Sequence, residues 1–234
     1  MRRKKNKNKF NTNLLTHETP FQYKEAFSFL RTNIKFLSAD SDCKKIVITS
    51  AIPDEGKSSV AVNLSLSLSA AKGTVLLIDA DLRKPTLHNY LSVKDGNVLG
   101  LTNCIGEKRV LNDCIRKQLF KKNLYFLPCG VIPPNPAELL GSRRMKETLD
   151  AVNHYDYVIM DTPPVTVVSD AAILSQYADG VLLVIRQKKS TFEQVQKAKD
   201  SLEKVNAKIL GVVINDFNFK HLDEDSSYYY TNYS

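Results

Sequence analysis

The sequence predicts an α/β fold in which a mostly parallel sheet is covered by helices on both faces. Three observations carry this. Short, continuous runs rich in Val, Ile and Leu alternate with segments of helical period. Runs of this kind are strands buried on both faces, which is the signature of a parallel sheet. One run leads into a Gly-Lys-Ser turn, and two others end in aspartate. Right-handed crossovers gather such strand ends on one edge, where ligands bind.

The elements follow in order. Residues 22–37 read as an amphipathic helix, with Ala26, Phe27, Leu30, Ile34 and Leu37 near helical spacing. Lys45 to Ser50 is a short β-branched run and a buried strand. Residues 57–71, rich in Ala, Leu and Ser, form the helix after it. Val75 to Ile78 and Leu124 to Leu127 are further strands, and the second leads into a fixed, proline-rich loop, PCGVIPPNP. Residues 137–152 return to helix. Tyr157 to Met160, Val181 to Ile185 and Ile209 to Ile214 read as further buried strands, and a charged helix over 191–205 joins the last two. The expected organisation is a flexible basic tail over 1–20, one domain over 21–218 and a flexible tyrosine-bearing tail over 219–234.

Bulk properties narrow the function. The length is 234 residues, with 43% hydrophobic and 25% charged residues, ordinary for a globular protein. No apolar run reaches the roughly 18 residues of a membrane span, and no apolar stretch follows the basic start as in a secretory signal. The expected compartment is the cytoplasm. Six basic residues in the first nine supply most of the net charge of +8, so the rest is not a nucleic-acid surface. The four cysteines lack C-x-x-C spacing and the four histidines are scattered, which argues against structural zinc. Asp156 and Asp170 read as a turn residue and a helix cap.

Residues 51–58 read A-I-P-D-E-G-K-S, a phosphate-loop pattern with Ala51 in place of the first glycine. The strand–loop–helix context suits it. Backbone N–H groups and the helix N-terminus would face phosphate, Lys57 would reach the β/γ-phosphates, and Ser58 would offer a hydroxyl to Mg²⁺. Asp79 and Asp161 end buried strands, and Asp81 follows two residues after the first. A carboxylate there needs a partner, and a metal ion is the obvious one. Four of the ten tyrosines, Tyr228, Tyr229, Tyr230 and Tyr233, lie in the last seven residues, where no core is available to bury them.

The segments SAIPDEGKSS, VLLIDADLRKPTLH and YDYVIMDTPPV resemble the bacterial tyrosine kinases of exopolysaccharide and capsule synthesis, relatives of septum-positioning and partition ATPases with the P-loop NTPase fold. FSFLRTNI, GLTNCI, LPCGVIPPNPAELLGS and SDAAILSQYADGVLLVI extend the likeness over nearly the whole chain. The resemblance implies a kinase using ATP and Mg²⁺ that phosphorylates its own tail at Tyr228, Tyr229, Tyr230 and Tyr233, between subunits of a ring. It implies Lys57, Asp79 and Asp81 as catalytic residues, with Asp81 or Asp79 accepting the tyrosine proton. Glu55, Gly56, Lys57, Ser58, Ser59 and Asn215 would bind nucleotide, and Ser58, Asp79 and Asp161 would hold the metal. The implied partners are a membrane-embedded activator of the polysaccharide co-polymerase type, which would recruit the chain to the inner membrane face, a second copy of the chain, and a protein-tyrosine phosphatase. Two readings compete: a septum- or partition-type ATPase switch, and a non-catalytic nucleotide-gated regulator of polysaccharide export.

Two positions depart from the family pattern. Asp54 stands where glycine is common, and its carboxylate either approaches the phosphates or points away. In the family's oligomer motif, Glu is followed by Arg three and six residues later. Glu25 and Arg31 fit, but Ser28 replaces the middle arginine.

Overall fold

The computed structural model describes residues 14–39, 43–93, 98–117 and 122–217. In chain order the elements are α1 (Phe21–Ala39), β1 (Lys45–Ser50), α2 (Lys57–Ala70), β2 (Val75–Asp79), α3 (Leu87–Tyr90), α4 (Leu101–Glu107), α5 (Leu111–Cys114) and β3 (Arg116–Lys117). They continue with β4 (Leu124–Leu127), α6 (Pro136–Leu140), α7 (Arg143–Ala151), β5 (Tyr157–Asp161), α8 (Asp170–Ser175), β6 (Gly180–Arg186), α9 (Phe192–Glu203) and β7 (Ile209–Asn215). The sheet has seven strands in the order β3-β4-β2-β5-β1-β6-β7. All neighbours are parallel except β3, which runs antiparallel to β4.

Strand side chains alternate between two cores, as the pleat requires. Ile46, Ile48, Val75, Leu77, Ile159, Leu182 and Val184 face α1 and α2. Val47, Leu76, Ile78, Val158, Met160, Val181 and Leu183 face the helices from α4 to α9. Both faces of the inner strands are covered, so these read as unbroken apolar runs; edge strand β7 is partly exposed, with Val212 and Ile214 at 51%.

Helix α2 lies between α1 and the sheet, and eleven of its fourteen residues are buried. Three of its serines are tolerated there because each finds a carbonyl acceptor. Ser65 donates to Ala61 O, Ser69 to Leu66 O and Ser67 to Phe27 O. Arg31 of α1 caps this packing. Its guanidinium donates to the carbonyl and hydroxyl of Ser67 and to the hydroxyl of Ser28. The serine that replaces the expected arginine thus holds Arg31 within its own protomer.

The structure amends the expected elements in three places. The helix expected over 137–152 is two helices, because the chain turns at Gly141 and Ser142 then caps α7 by accepting from Met145 N. Asp170 is the first residue of α8 and not its cap; Ser169 holds that position. Strand β3, two residues long, had no sequence signal. Asp156 does close a turn, accepting from the backbone N–H and hydroxyl of Thr74 at 2.7 Å each. Among the described residues no helix is long and apolar enough to cross a membrane.

Candidate active site

The loop over 51–56 joins β1 to α2 at the carboxyl edge of the sheet. Gly56 sits at φ 87°, and a Cβ there would lie 2.0 Å from Asn215 Nδ2. Glycine is favoured there for its backbone freedom, and any side chain would also displace the Asn215 amide. Asn215, at the end of β7, donates through Nδ2 to Glu55 O at 2.9 Å. Ala51, in place of the first glycine, is fully buried and its carbonyl accepts from the Thr166 hydroxyl. Asp54 takes φ 60°, a region aspartate tolerates better than most residues. Its side chain is 91% exposed, and Lys189 Nζ stands 3.9 Å from its carboxylate. The charge at this departure from the family pattern therefore points into solvent.

Glu55 is different. It is fully buried. One carboxylate oxygen accepts from Ile52 N at 2.8 Å, and the other accepts from Arg186 N at 3.1 Å and from the Ser190 hydroxyl. What the loop can offer a ligand at this position is its backbone N–H. Ser59 lies on the first turn of α2, with Asn63 Nδ2 3.5 Å from its hydroxyl.

Opposite the loop, β2 and β5 are neighbours in register, with Asp79 paired to Asp161. Both carboxylates are buried. Asp79 Oδ2 accepts from Leu87 N at 3.1 Å, while Asp79 Oδ1 and both oxygens of Asp161 have no hydrogen-bond partner. Burial, and then the Asp161 charge, push the Asp79 carboxyl well above its usual value. Burial raises Asp161 to about 6, against the pull of Lys57 and the nearby Ser58 hydroxyl. At Lys57 burial disfavours the charge, but Asp161, Asp81 and Asp79 outweigh it and the pKa rises. Lys57 Nζ stands 3.4 Å from Asp81 Oδ2. Asp81 Oδ1 accepts from Lys84 N at 2.9 Å and Arg83 N at 3.3 Å, which fixes its direction.

Three buried carboxylate oxygens without donors, beside a serine hydroxyl, are costly unless a cation joins them. All are hard oxygen donors of the kind Mg²⁺ takes. Among the described residues no three His, Cys, Asp or Glu side chains are grouped to hold a metal alone. An ion here would draw its remaining oxygens from phosphates and water.

Lys57, Ser58, Asp79, Asp81 and Asp161 thus converge, and Gly56 and Asn215 meet at the loop. Tyr228, Tyr229, Tyr230 and Tyr233 lie outside the described residues. The structure also brings in residues that sequence reasoning missed. Thr86 donates to Ser58 Oγ at 3.1 Å. Asp170, fully buried, grips Arg83 through two bonds of 2.9 and 3.0 Å and so anchors the segment after Asp81. Lys189 and Ser190 reach the loop from the turn after β6. Thr86 lay within the quoted box and was open to suspicion, whereas nothing in the local pattern marks Ser190.

A family model described as an AAA domain matches residues 43–213. Tyrosine-protein kinase YwqD of Bacillus subtilis is 44% identical over 207 residues, covering 88% of this chain and 85% of the relative. The chain belongs to the bacterial tyrosine kinases. Tyrosine-protein kinase CpsD of Streptococcus agalactiae is 37% identical to this kinase over 83% of the chain and 82% of the relative. Among solved structures, the chimerical protein CapA2B2 superposes on the kinase with a TM-score of 0.82 at 35% identity, covering 89% of this chain and 91% of that one. The kinase domain of Escherichia coli ETK gives 0.77 at 33% identity, with 91% and 87% covered. The septum site-determining protein MinD of Pyrococcus horikoshii gives 0.63 at 24% identity, with 79% and 75% covered, a likeness of fold alone.

Proposed function

We propose that this kinase transfers the γ-phosphoryl group of ATP to Tyr228, Tyr229, Tyr230 and Tyr233 of a neighbouring copy, and so regulates capsular or extracellular polysaccharide synthesis and export. The observation that carries the reading is the convergence of Lys57, Ser58 and Asp81 with the unpartnered oxygens of Asp79 and Asp161. The backbone N–H groups of 55–59 cradle the phosphates, and Asn215 stands near the adenine. Ser58, Asp79 and Asp161 would hold Mg²⁺ directly or through water, and the ion would offset their buried negative charge and that of the phosphates.

Lys57 exchanges Asp81 for the β/γ-phosphates when nucleotide arrives. That frees Asp81 Oδ2, while Arg83 N and Lys84 N keep the carboxylate aimed. The phenol has a pKa near 10 and arrives protonated. As its oxygen bonds to the γ-phosphorus and the bond to the ADP oxygen breaks, Asp81 accepts the proton. Asp79, carrying a raised pKa, is the alternative acceptor.

In this reading the protein acts in the cytoplasm at the inner membrane face, recruited by a membrane-embedded activator and opposed by a protein-tyrosine phosphatase. Incubation with Mg-ATP, with and without the activator's cytoplasmic segment, followed by mass spectrometry, tests it. Phosphotyrosine at 228–233, lost in Lys57→Met, is expected. ATP turnover without protein phosphate would instead favour a septum-type ATPase, and neither product would leave a non-catalytic regulator.

A further inference from the structure

The phosphate loop is held from outside. Lys189 Nζ donates to Pro53 O at 2.8 Å and to Asp54 O at 3.0 Å. Asn215 Nδ2 donates to Glu55 O at 2.9 Å. Three consecutive carbonyls of the loop are thus claimed by side chains that lie more than a hundred residues away in sequence. No peptide bond among the described residues is cis. In a planar trans peptide the N–H of the next residue points opposite the carbonyl. Pulling the carbonyls of 53, 54 and 55 outward therefore turns the N–H groups of Asp54, Glu55 and Gly56 inward, toward the space where phosphate would lie.

The Glu55 carboxylate completes the grip. It joins Ile52 N, inside the loop, to Arg186 N and the Ser190 hydroxyl, outside it. A buried anion beside an anion-binding loop works against phosphate, so its presence needs a reason. Its donors are two backbone N–H groups and one hydroxyl, which stabilise the charge without a cation. The loop also needs the help, since Asp54 and Gly56 both sit at positive φ and Ala51 replaces the first glycine.

We propose that the turn over 186–190 clamps the phosphate loop in its nucleotide-binding form, with the Glu55 carboxylate and the Lys189 ammonium as positioning groups that never touch the nucleotide. The proposal rests on the reading of 51–58 as a nucleotide loop. It assigns to the β6–α9 turn a part in ATP affinity and not in phosphoryl transfer.

The test uses the full chain with Ser190→Ala, Lys189→Met, Glu55→Gln and the double variant Glu55→Gln/Ser190→Ala. Calorimetry with Mg-ADP gives affinity, steady-state phosphorylation gives kcat and KM for Mg-ATP, and thermal melting reports folding. Each single variant is expected to raise Kd and KM by about fivefold or more while kcat stays within about twofold, the pattern of lost uniform binding. The double variant should fall short of additivity, because both changes weaken the hold of one side chain on the turn. If Glu55→Gln does not fold, Ser190→Ala and Lys189→Met, which alter only a hydroxyl and a surface ammonium, decide. Folded Ser190→Ala and Lys189→Met proteins that bind Mg-ADP like the parent would overturn the clamp, as would fully additive effects in the double variant. A parent protein with no affinity for Mg-ADP would overturn the nucleotide reading itself, and the clamp with it.

Discussion

Asp161 is where a single residue decides most. Its carboxyl is buried without a hydrogen-bond partner, and its pKa is raised from 3.8 to about 6. A carboxyl raised on folding binds protons more tightly in the native state than in the unfolded one. Stability of the metal-free protein therefore falls as pH rises from about 4 to 6, and returns as pH is lowered through that window. Asp79 is shifted in the same direction and adds to the effect. The part due to Asp161 is at most about 3 kcal/mol. Urea unfolding of metal-free protein should show a higher midpoint at pH 5 than at pH 7, and Asp161→Asn should flatten the difference while raising the midpoint at pH 7. Equal midpoints for the unaltered protein at the two pH values would contradict this. The same protons compete with a divalent cation, so Mg²⁺ affinity should weaken on acidification.

Helix α2 shows what an element contributes. It packs against α1, β1, β2 and β5, and it carries Lys57 and Ser58 on its first turn. Leu64 is fully buried between the layers. Leu64→Ala should cost about 2–5 kcal/mol in urea unfolding, since a site hemmed in by sheet and helix cannot collapse on the cavity. A loss below about 1 kcal/mol would mean that α1 closes over the gap. Elements of this kind were legible in the chain. Burial on both faces makes β1, β2, β4, β5 and β6 continuous apolar runs, edge strand β7 is apolar though partly exposed, and the long helices show their period. The illegible elements were those with no room for a period, such as α3, α5 and β3, of four, four and two residues. The site divides in the same way. Asp79 and Asp161 announce themselves as acids ending apolar strands, and Lys57 and Ser58 stand in a loop with a spacing. Thr86, Ser190 and Asp170 act through partners 28, 135 and 87 residues away, and no local pattern records such a pairing. Glu55 was legible as a loop residue, but the direction of its side chain was not, because Arg186 and Ser190 set it.

For the whole molecule, charge and assembly are linked. Arg31, expected to serve contacts between copies, is engaged with Ser28 and Ser67 of its own protomer. A ring through α1 would then lean less on that guanidinium than in relatives with arginine at the position of Ser28. Each phosphate on the tail adds about −1.5 to −2 charges, next to Asp223, Glu224 and Asp225. Phosphorylating all four tail tyrosines should drive copies apart, which light scattering of phosphorylated and unphosphorylated protein would register as a fall in mass. Unchanged mass would refute it. The bond from Asn215 to Glu55 spans 160 residues, and it has a consequence in time. At about 5–20 residues per second, a ribosome needs roughly 8–30 s to travel from the glutamate to the asparagine. Through that interval the growing chain already holds its whole Gly-Lys-Ser motif, yet lacks the strand whose arrival holds the loop open. On the proposed clamp, nucleotide binding is expected only once β7 is made, and a chain ending before residue 215 should show no Mg-ADP binding by calorimetry.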